Sequence, residues 1–280
     1  MNIKGYTYNN TVMYNGDCFD VMKQFENGVV DVILTSPPYN TNKHAGKNTV
    51  IKGLNDKNGI TSNIRYDMHI DNMTNDEYCD FTRNLFIEFD RILKADGCVL
   101  YNLSYGSENS ECMFRAVNEV ITKTPFTIAD TILWKKQSVF PNATSPNKLT
   151  RICEFIFVFC RKSEYYTFHC NKRITSYRDT GQACYENIQS LIEAKNNDEV
   201  CPYNKATYSS DLCTKLLKIY ATEDSLVYDP FMGSGTTAVA CEKMGLRCWG
   251  SEISKNQYEW AIDRLKRQGT MLDFDFSTCE

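Results

Sequence analysis

From residue 226 the chain runs Leu226-Val227-Tyr228-Asp229-Pro230-Phe231-Met232-Gly233-Ser234-Gly235-Thr236-Thr237, one strand-to-helix unit in the alternating pattern of an α/β sheet. Leu226 to Asp229 is a short strand that Pro230 ends. Two glycines then turn the chain, and a helix is expected from about Thr236 to Met244, where Gly245 stops it. A strand, a glycine turn and a helix N-terminus make a ligand pocket at the carboxyl edge of a parallel sheet. The glycines let backbone approach a ligand closely, and the exposed helix N–H groups favour a negatively charged group such as a carboxylate. No lysine follows the second glycine, so this is not a P-loop, and the spacing is not that of the dinucleotide fingerprint.

The next strand is expected at Arg247 to Glu252. Glu252 stands at its end, where an acidic side chain accepts hydrogen bonds from both hydroxyls of a ribose. A ribose acceptor beside a glycine turn that is built for no diphosphate implies a nucleoside-containing ligand of another kind. S-adenosylmethionine fits that description.

Further out, strands and helices alternate. Strands are expected at Asp31 to Thr35, Cys98 to Leu103, Phe126 to Trp134 and Glu154 to Cys160. Helices are expected at Thr74 to Leu93, Ser210 to Ala221 and Lys255 to Arg267, and one more around Tyr185 to Lys195. Asp17 suits the cap of a short helix beginning near Phe19. Residues 40–65 are rich in Asn, Gly and Lys with little periodicity, and read as a flexible loop insertion. Residues 162–204 also break the regular pattern.

Composition narrows the function classes. The 280 residues are 42% hydrophobic and 24% charged, which excludes a mainly disordered chain. The most apolar run, Phe155 to Cys160, is far too short for a membrane span, and the N-terminus lacks a signal-peptide core. A cytoplasmic protein is expected. The 13 cysteines are scattered with no C-x-x-C pair, so neither a zinc site nor a disulfide framework is expected. Net charge is −4, yet nine basic residues between Trp134 and Arg178 face only Glu154 and Glu164. Such a stripe in an acidic protein points to a polyanionic partner.

The strand at Asp31 to Thr35 runs into Ser36-Pro37-Pro38-Tyr39. The prolines fix φ and hold the backbone extended, so the Pro37 carbonyl is a preset acceptor. Ser36 is a second acceptor and Tyr39 a flat stacking face. Two acceptors and an aromatic wall suit the exocyclic amine of a planar base. Hydrogen bonds from its two N–H groups favour tetrahedral character and aim the nitrogen lone pair at an electrophilic methyl.

These motifs together resemble those of the DNA amino-methyltransferases, which make N4-methylcytosine or N6-methyladenine. In that family a (D/N/S)-P-P-(Y/F) motif holds the target base and an F-x-G-x-G motif binds S-adenosylmethionine. Here Ser36 to Tyr39 precedes Phe231 to Gly235, the circularly permuted order of the β group. Gly16-Asp17 resembles the group's N-terminal G-D, whose aspartate reaches the cofactor adenine. Leu93-Lys94, followed by Gly97, resembles its L-K-x-x-G. Pro202-Tyr203-Asn204-Lys205 resembles H-P-x-x-K-P, with Cys201 in place of His and Ala206 in place of Pro. Lys205 is retained and suits the methionine carboxylate.

The resemblance implies one catalytic domain, 1–280, with a Rossmann-like methyltransferase fold: a mostly parallel seven-stranded sheet with helices on both faces. It implies catalytic roles for Ser36, Pro37, Pro38 and Tyr39. It implies cofactor contacts from Asp17, Lys205, Asp229, Phe231, Gly233, Ser234, Gly235, Thr236 and Glu252. Target recognition is expected in 162–204, with Lys135, Lys136, Arg161, Lys162, Lys172, Arg173 and Arg178 against DNA, in phosphate or base contacts. The expected activity is methyl transfer to a base flipped from double-stranded DNA. S-P-P-Y is more usual for N4-cytosine enzymes, with N6-adenine the alternative. An RNA methyltransferase and a catalytically silent nucleic-acid-binding module are the further alternatives. No metal is needed. A companion restriction endonuclease is a possible partner, and the chain is expected to act as a monomer or homodimer.

Overall fold

The computed structural model describes residues 3–40, 73–105, 109–139, 141–143, 146–204 and 207–274. All but the first residue of the expected loop insertion at 40–65 lies outside these residues. The strands are β1 (Gly5–Tyr8), β2 (Thr11–Asn15), β3 (Val30–Thr35), β4 (Leu93–Leu103), β5 (Phe126–Lys136), β6 (Cys153–Arg161), β7 (Ile174–Tyr177), β8 (Ala183–Tyr185), β9 (Leu191–Ala194), β10 (Leu226–Asp229) and β11 (Arg247–Glu252). The helices are α1 (Cys18–Met22), α2 (Asn75–Ile92), α3 (Cys112–Lys123), α4 (Ser210–Tyr220), α5 (Thr236–Met244) and α6 (Lys255–Phe274).

Nine strands form one sheet in the order β1-β2-β11-β10-β3-β4-β6-β5-β9. Pairing is parallel from β2 through β4 and again between β5 and β9; β1 and β6 run against the rest. The sheet thus has nine strands where seven were expected, and the additions lie at its two edges. On one edge β1 folds back on β2. On the other, β9 pairs with β5 from Leu133 to Lys136. That second addition corrects the helix expected around Tyr185 to Lys195. Leu191 to Ala194 alternate exposed and buried, the period of a strand. Buried Trp134 also donates its indole N–H to Ala194 O.

Two apolar layers sandwich the sheet. Leu212, Leu216 and Leu217 of α4, Ala238 and Val239 of α5, and Ala261 and Leu265 of α6 pack on one face. Val21 of α1, Leu85, Phe86 and Phe89 of α2, and Met113, Val117 and Val120 of α3 pack on the other. Helix α2 carries most of the second layer. It begins in a capping box, Thr74 and Glu77 each bonding the other's backbone N–H. Its inward stripe centres on Phe86, whose ring lies 5.0–5.4 Å from those of Phe89, Tyr101, Phe126 and Phe159. One side chain therefore links α2 to β4, β5 and β6. Phe86→Ala is expected to cost about 3–5 kcal/mol of stability, read as a lower urea midpoint at unchanged slope.

Candidate active site

Strands β10 and β3 are parallel neighbours, with Val227 beside Val32 and Tyr228 beside Ile33. The chain leaves β10 towards β11 on one side and β3 towards β4 on the other. Their carboxyl ends therefore meet where the strand order reverses, the usual crevice for a ligand in an open α/β sheet. Residues about two hundred positions apart in sequence become one edge. The proline corner (36–39) follows β3, and the glycine bend (230–235) follows β10.

Asp229 ties the two together. It is 1% exposed. Its Oδ1 accepts from Thr35 Oγ1 at 2.8 Å and from Phe231 N at 3.1 Å. Its Oδ2 accepts from Thr237 Oγ1 at 2.6 Å and from Tyr208 Oη at 3.0 Å. Burial raises the carboxyl above the usual range, while the bonds from Thr237, Thr35, Phe231 and Tyr208 oppose that rise. Asp229 was expected at the cofactor. Its two oxygens are instead engaged inside the protein, holding the last residue of β3 to the bend after β10.

The proline corner is fixed from several sides. Tyr78 of α2, 1% exposed, donates its hydroxyl to Pro38 O at 2.6 Å. Asn40 ends the corner with φ +50, a left-handed conformation that asparagine tolerates, and donates to Met73 O at 2.9 Å. Within the corner, Ser36 Oγ and Tyr39 Oη are 2.8 Å apart. Tyr39 Oη also donates to Glu154 Oε2 at 2.9 Å and accepts from Asn102 Nδ2 at 2.6 Å. Asn102 Nδ2 reaches Glu154 Oε2 at 2.9 Å as well. Lys136 closes the cluster as an ion pair with Glu154 Oε1. Asn102 sits near the carboxyl end of β4, Glu154 near the start of β6 and Lys136 at the end of β5. Since β6 is antiparallel to its neighbours, all three lie at the same edge as Ser36. Asn102 Oδ1 is buried with no hydrogen-bond partner among the described residues.

At the glycine bend, Gly233 (φ +53) and Gly235 (φ +79) are both left-handed. A Cβ on Gly235 would stand 2.9 Å from that of Ala261, so this glycine also brings α5 and α6 together. Ser234 Oγ and Thr236 Oγ1 accept from buried Arg264 of α6 at 3.3 and 2.8 Å. Arg264 is held in turn by Asp198 at 2.7 Å. Glu252, 8% exposed, accepts from Gly233 N at 2.9 Å and Ser254 N at 2.8 Å. Its carboxyl is pushed up to about 7, chiefly by burial, with the charge of Asp229 adding to the rise. Asp17 lies on the same edge, because Gly16 N donates to Glu252 O at 3.0 Å. Asp17 Oδ1 also caps α1 by accepting from Phe19 N at 2.9 Å. The Phe231 ring packs 6.1 Å from that of Phe81. Lys205 lies outside the described residues.

The basic stripe divides. Arg161 and Lys162 stand at the opposite, amino edge of the sheet, beyond Phe126 and away from the proline corner. Arg161 pairs with Asp90 at 2.6 Å and donates to Leu93 O and Ala95 O at 3.0 Å. Lys162 donates to Thr124 O at 2.8 Å. These two were expected at DNA; they clamp the ends of α2 and α3 instead. Lys136 belongs to the proline corner, and Lys135 pairs with Glu193 at 2.9 Å nearby. Lys172, Arg173 and Arg178 lie on or beside the exposed β7–β8 hairpin, where Arg173 meets Glu186 at 3.2 Å. Among the described residues no cluster of His, Cys, Asp or Glu is arranged to hold a metal ion, and the twelve cysteines there are free thiols.

Asn102, Glu154 and Tyr208 are the site residues that sequence reasoning missed. The one available signal was an acidic residue heading an otherwise apolar strand, Glu154 before Phe155 to Cys160. Its meaning depends on β6 running antiparallel, which no local pattern shows.

A family model described as a DNA methylase, N6_N4_Mtase, matches residues 30–263. The Type II methyltransferase M.Cfr9I of Citrobacter freundii is 23% identical over 94% of this chain and 90% of its own length. The Type II methyltransferase M2.MboI of Moraxella bovis is 24% identical over 91% of this chain and 90% of its own. Among solved structures, the PvuII DNA methyltransferase (cytosine-N4-specific) superposes with a TM-score of 0.69 at 17% identity, over 97% of this chain and 95% of that one. An M1.HpyAVI–SAM complex superposes at 0.58 and 20% identity, over 91% of this chain and 99% of that one. These likenesses show the methyltransferase fold.

The Asp229 tie has a pH signature. Its raised carboxyl keeps a proton to higher pH in the folded chain than in the unfolded one. Stability therefore falls as pH rises through the interval between the two values. Thr35→Val removes a donor to the ionised form and widens that interval. The variant is expected to lose about 1–3 kcal/mol at neutral pH, and less as pH is lowered into the carboxylate range. Urea unfolding at several pH values measures this; a loss that does not change with pH would show that Thr35 acts through packing alone.

Proposed function

Since the chain belongs to the N6_N4_Mtase family of DNA methylases, we propose that it moves the methyl group of S-adenosylmethionine to the exocyclic amine of a base flipped from double-stranded DNA, with N4 of cytosine as the target. The observation that carries this reading is the Thr35–Asp229 bond, which sets a base-holding corner beside a nucleoside-binding bend on adjacent parallel strands.

The bend suits a cationic nucleoside. Asp229 and Glu252 are both buried carboxylates with raised protonation, and the charge of Asp229 adds to Glu252's rise. A sulfonium near them would relieve that repulsion. S-adenosylmethionine supplies an electrophilic methyl on such a sulfonium. Glu252 would accept from its ribose hydroxyls, and the bend at Phe231, Gly233, Ser234, Gly235 and Thr236 would bring backbone against it. Asp17 lies close enough to Glu252 to share the ligand, and Lys205 follows Asn204, whose side chain donates to Gln257 at 2.8 Å beside Gly233.

At the corner, Ser36 Oγ and the Pro37 carbonyl receive the amine hydrogens while the Tyr39 ring supplies a stacking face. A neutral Ser36 at the motif's first position supports cytosine, as does the PvuII enzyme's own description as cytosine-N4-specific. DNA lies along the carboxyl edge, which the base must enter. Lys135, Lys148 and Arg151 border that edge as phosphate contacts. The exposed hairpin with Lys172, Arg173, Arg178, Tyr177 and Tyr185 is a ribbon of the kind that reads base edges in a groove. A restriction endonuclease of matching sequence preference would be its companion.

Transfer of a tritiated methyl to duplex DNA, followed by digestion to nucleosides and mass spectrometry, tests the reading and names the base. N4-methylcytosine is the expected product; N6-methyladenine would move the target, and no incorporation would end the reading. Ser36→Ala is expected to slow transfer about 10²–10³-fold with cofactor affinity unchanged by equilibrium dialysis.

Glu252 gives a second expectation. Its ionised form is the ribose acceptor, and it loses that form below about pH 7. Cofactor affinity is expected to be level above that pH and to weaken towards tenfold per unit below it. Glu252→Ala should bind weakly at every pH, with that acid limb gone.

A further inference from the structure

We propose that Glu154 sets the direction of the hydrogen bonds at the proline corner and receives, through Tyr39, the proton that the target amine releases. This deepens the methyltransferase reading and rests on it.

The argument begins with donor and acceptor capacity. An ionised carboxylate only accepts. Glu154 Oε2 lies 2.9 Å from Tyr39 Oη, so the tyrosine's one hydroxyl hydrogen points to Glu154. Tyr39 Oη then accepts from its other partners. Asn102 Nδ2 is one, at 2.6 Å. Ser36 Oγ, at 2.8 Å, must be the other, with its hydrogen directed to Tyr39. With its hydrogen engaged, the Ser36 oxygen can act towards a base amine only as an acceptor. A carboxylate two strands away thereby fixes the role of a neutral serine.

The same atoms form an unbroken path, Ser36 Oγ to Tyr39 Oη to Glu154 Oε2. When the amine nitrogen bonds to the methyl carbon, the carbon–sulfur bond breaks and its electron pair returns to sulfur. The nitrogen then carries one proton too many. That proton passes to Ser36 Oγ, the serine hydrogen to Tyr39 Oη, and the tyrosine hydrogen to Glu154 Oε2. The carboxylate becomes a carboxylic acid, and each hydroxyl ends with one hydrogen, as it began. After product release the acid returns its proton to water, and the hydroxyls rotate back.

The surroundings suit a carboxylate that must be ionised between turnovers. Glu154 is 8% exposed, and a buried charge is costly unless paired. Lys136 from β5 pairs with its Oε1, and Asn102 from β4 donates to its Oε2 at 2.9 Å. Among the described residues, the groups facing it are one cation, Lys136; one neutral amide, Asn102; and one titratable hydroxyl, Tyr39. A plain structural pin between β6 and the corner would need neither the cation nor the continuity through Ser36.

The test uses the full chain, tritiated S-adenosylmethionine and duplex DNA under single-turnover conditions, with Glu154→Gln, Tyr39→Phe and the double variant. Each single change is expected to slow transfer about 100-fold or more, with cofactor affinity within about twofold of the unaltered chain. Because the two groups act in series, the double variant should be no slower than the slower single one. Glu154→Asp, which keeps a carboxylate, should recover part of the rate that Glu154→Gln loses. Additive losses in the double variant, or no recovery of rate by Glu154→Asp over Glu154→Gln, overturn the relay. If Glu154→Gln does not bind cofactor, Tyr39→Phe decides: an unchanged rate overturns the relay, and a slowed rate with cofactor affinity kept supports it. No transfer by the unaltered chain would bring down the methyltransferase reading itself, a result distinct from any failure of the relay.

Discussion

A buried carboxylate with four donors holds this site together. Asp229 costs desolvation at the carboxyl end of β10, and burial holds its protonation above normal in spite of Thr35, Phe231, Thr237 and Tyr208. Those four donors come from β3, from the bend, from α5 and from the segment ahead of α4. No apolar residue at position 229 could gather them, because packing carries no direction whereas hydrogen bonds do. The tie joins the strand bearing the proline corner to the bend that suits a nucleoside. Two hundred residues of intervening chain need only return β10 to the side of β3.

Much of this was legible because the deciding features are local. Prolines at 37 and 38 stop a strand whatever surrounds them. The alternation of glycine and small residues from 233 to 237 makes a bend wherever it occurs. The helical periodicity of 74–93 and the capping pair Thr74 and Glu77 placed α2 to within a residue or two. What escaped depends on partners distant in sequence. β9 is four residues long, and a run containing Leu191, Ile192 and Ala194 suits a helix until the open edge of β5 supplies hydrogen bonds for it. The β1–β2 hairpin is likewise too short and too polar to stand out.

Charge misled for a related reason. Nine basic residues between 134 and 178 form one stripe in sequence, but the chain between them crosses the sheet. β6 begins at the carboxyl edge with Cys153 and Glu154 and ends at the amino edge with Arg161. Along that strand the role of a charged side chain changes entirely. Arg161 donates to backbone carbonyls where α2 runs directly into β4. A stripe continuous in sequence is thus divided between the two edges of the sheet by strand direction.

The corner and the bend divide the electrostatic work unequally. At the bend, the charge of Asp229 adds to the raised protonation of Glu252, and neither carboxylate has a cation within hydrogen-bond reach among the described residues. At the corner, the one carboxylate is matched by Lys136 and by two neutral donors. On the proposed reading, the first would take the cationic ligand and the second the neutral planar base. The same asymmetry persists after the ligand's positive charge is spent. A neutral thioether would relieve these carboxylates less than a sulfonium would. Three acidic side chains, Asp229, Glu252 and Glu154, thus reach the carboxyl edge from three different strands, each with its own set of partners.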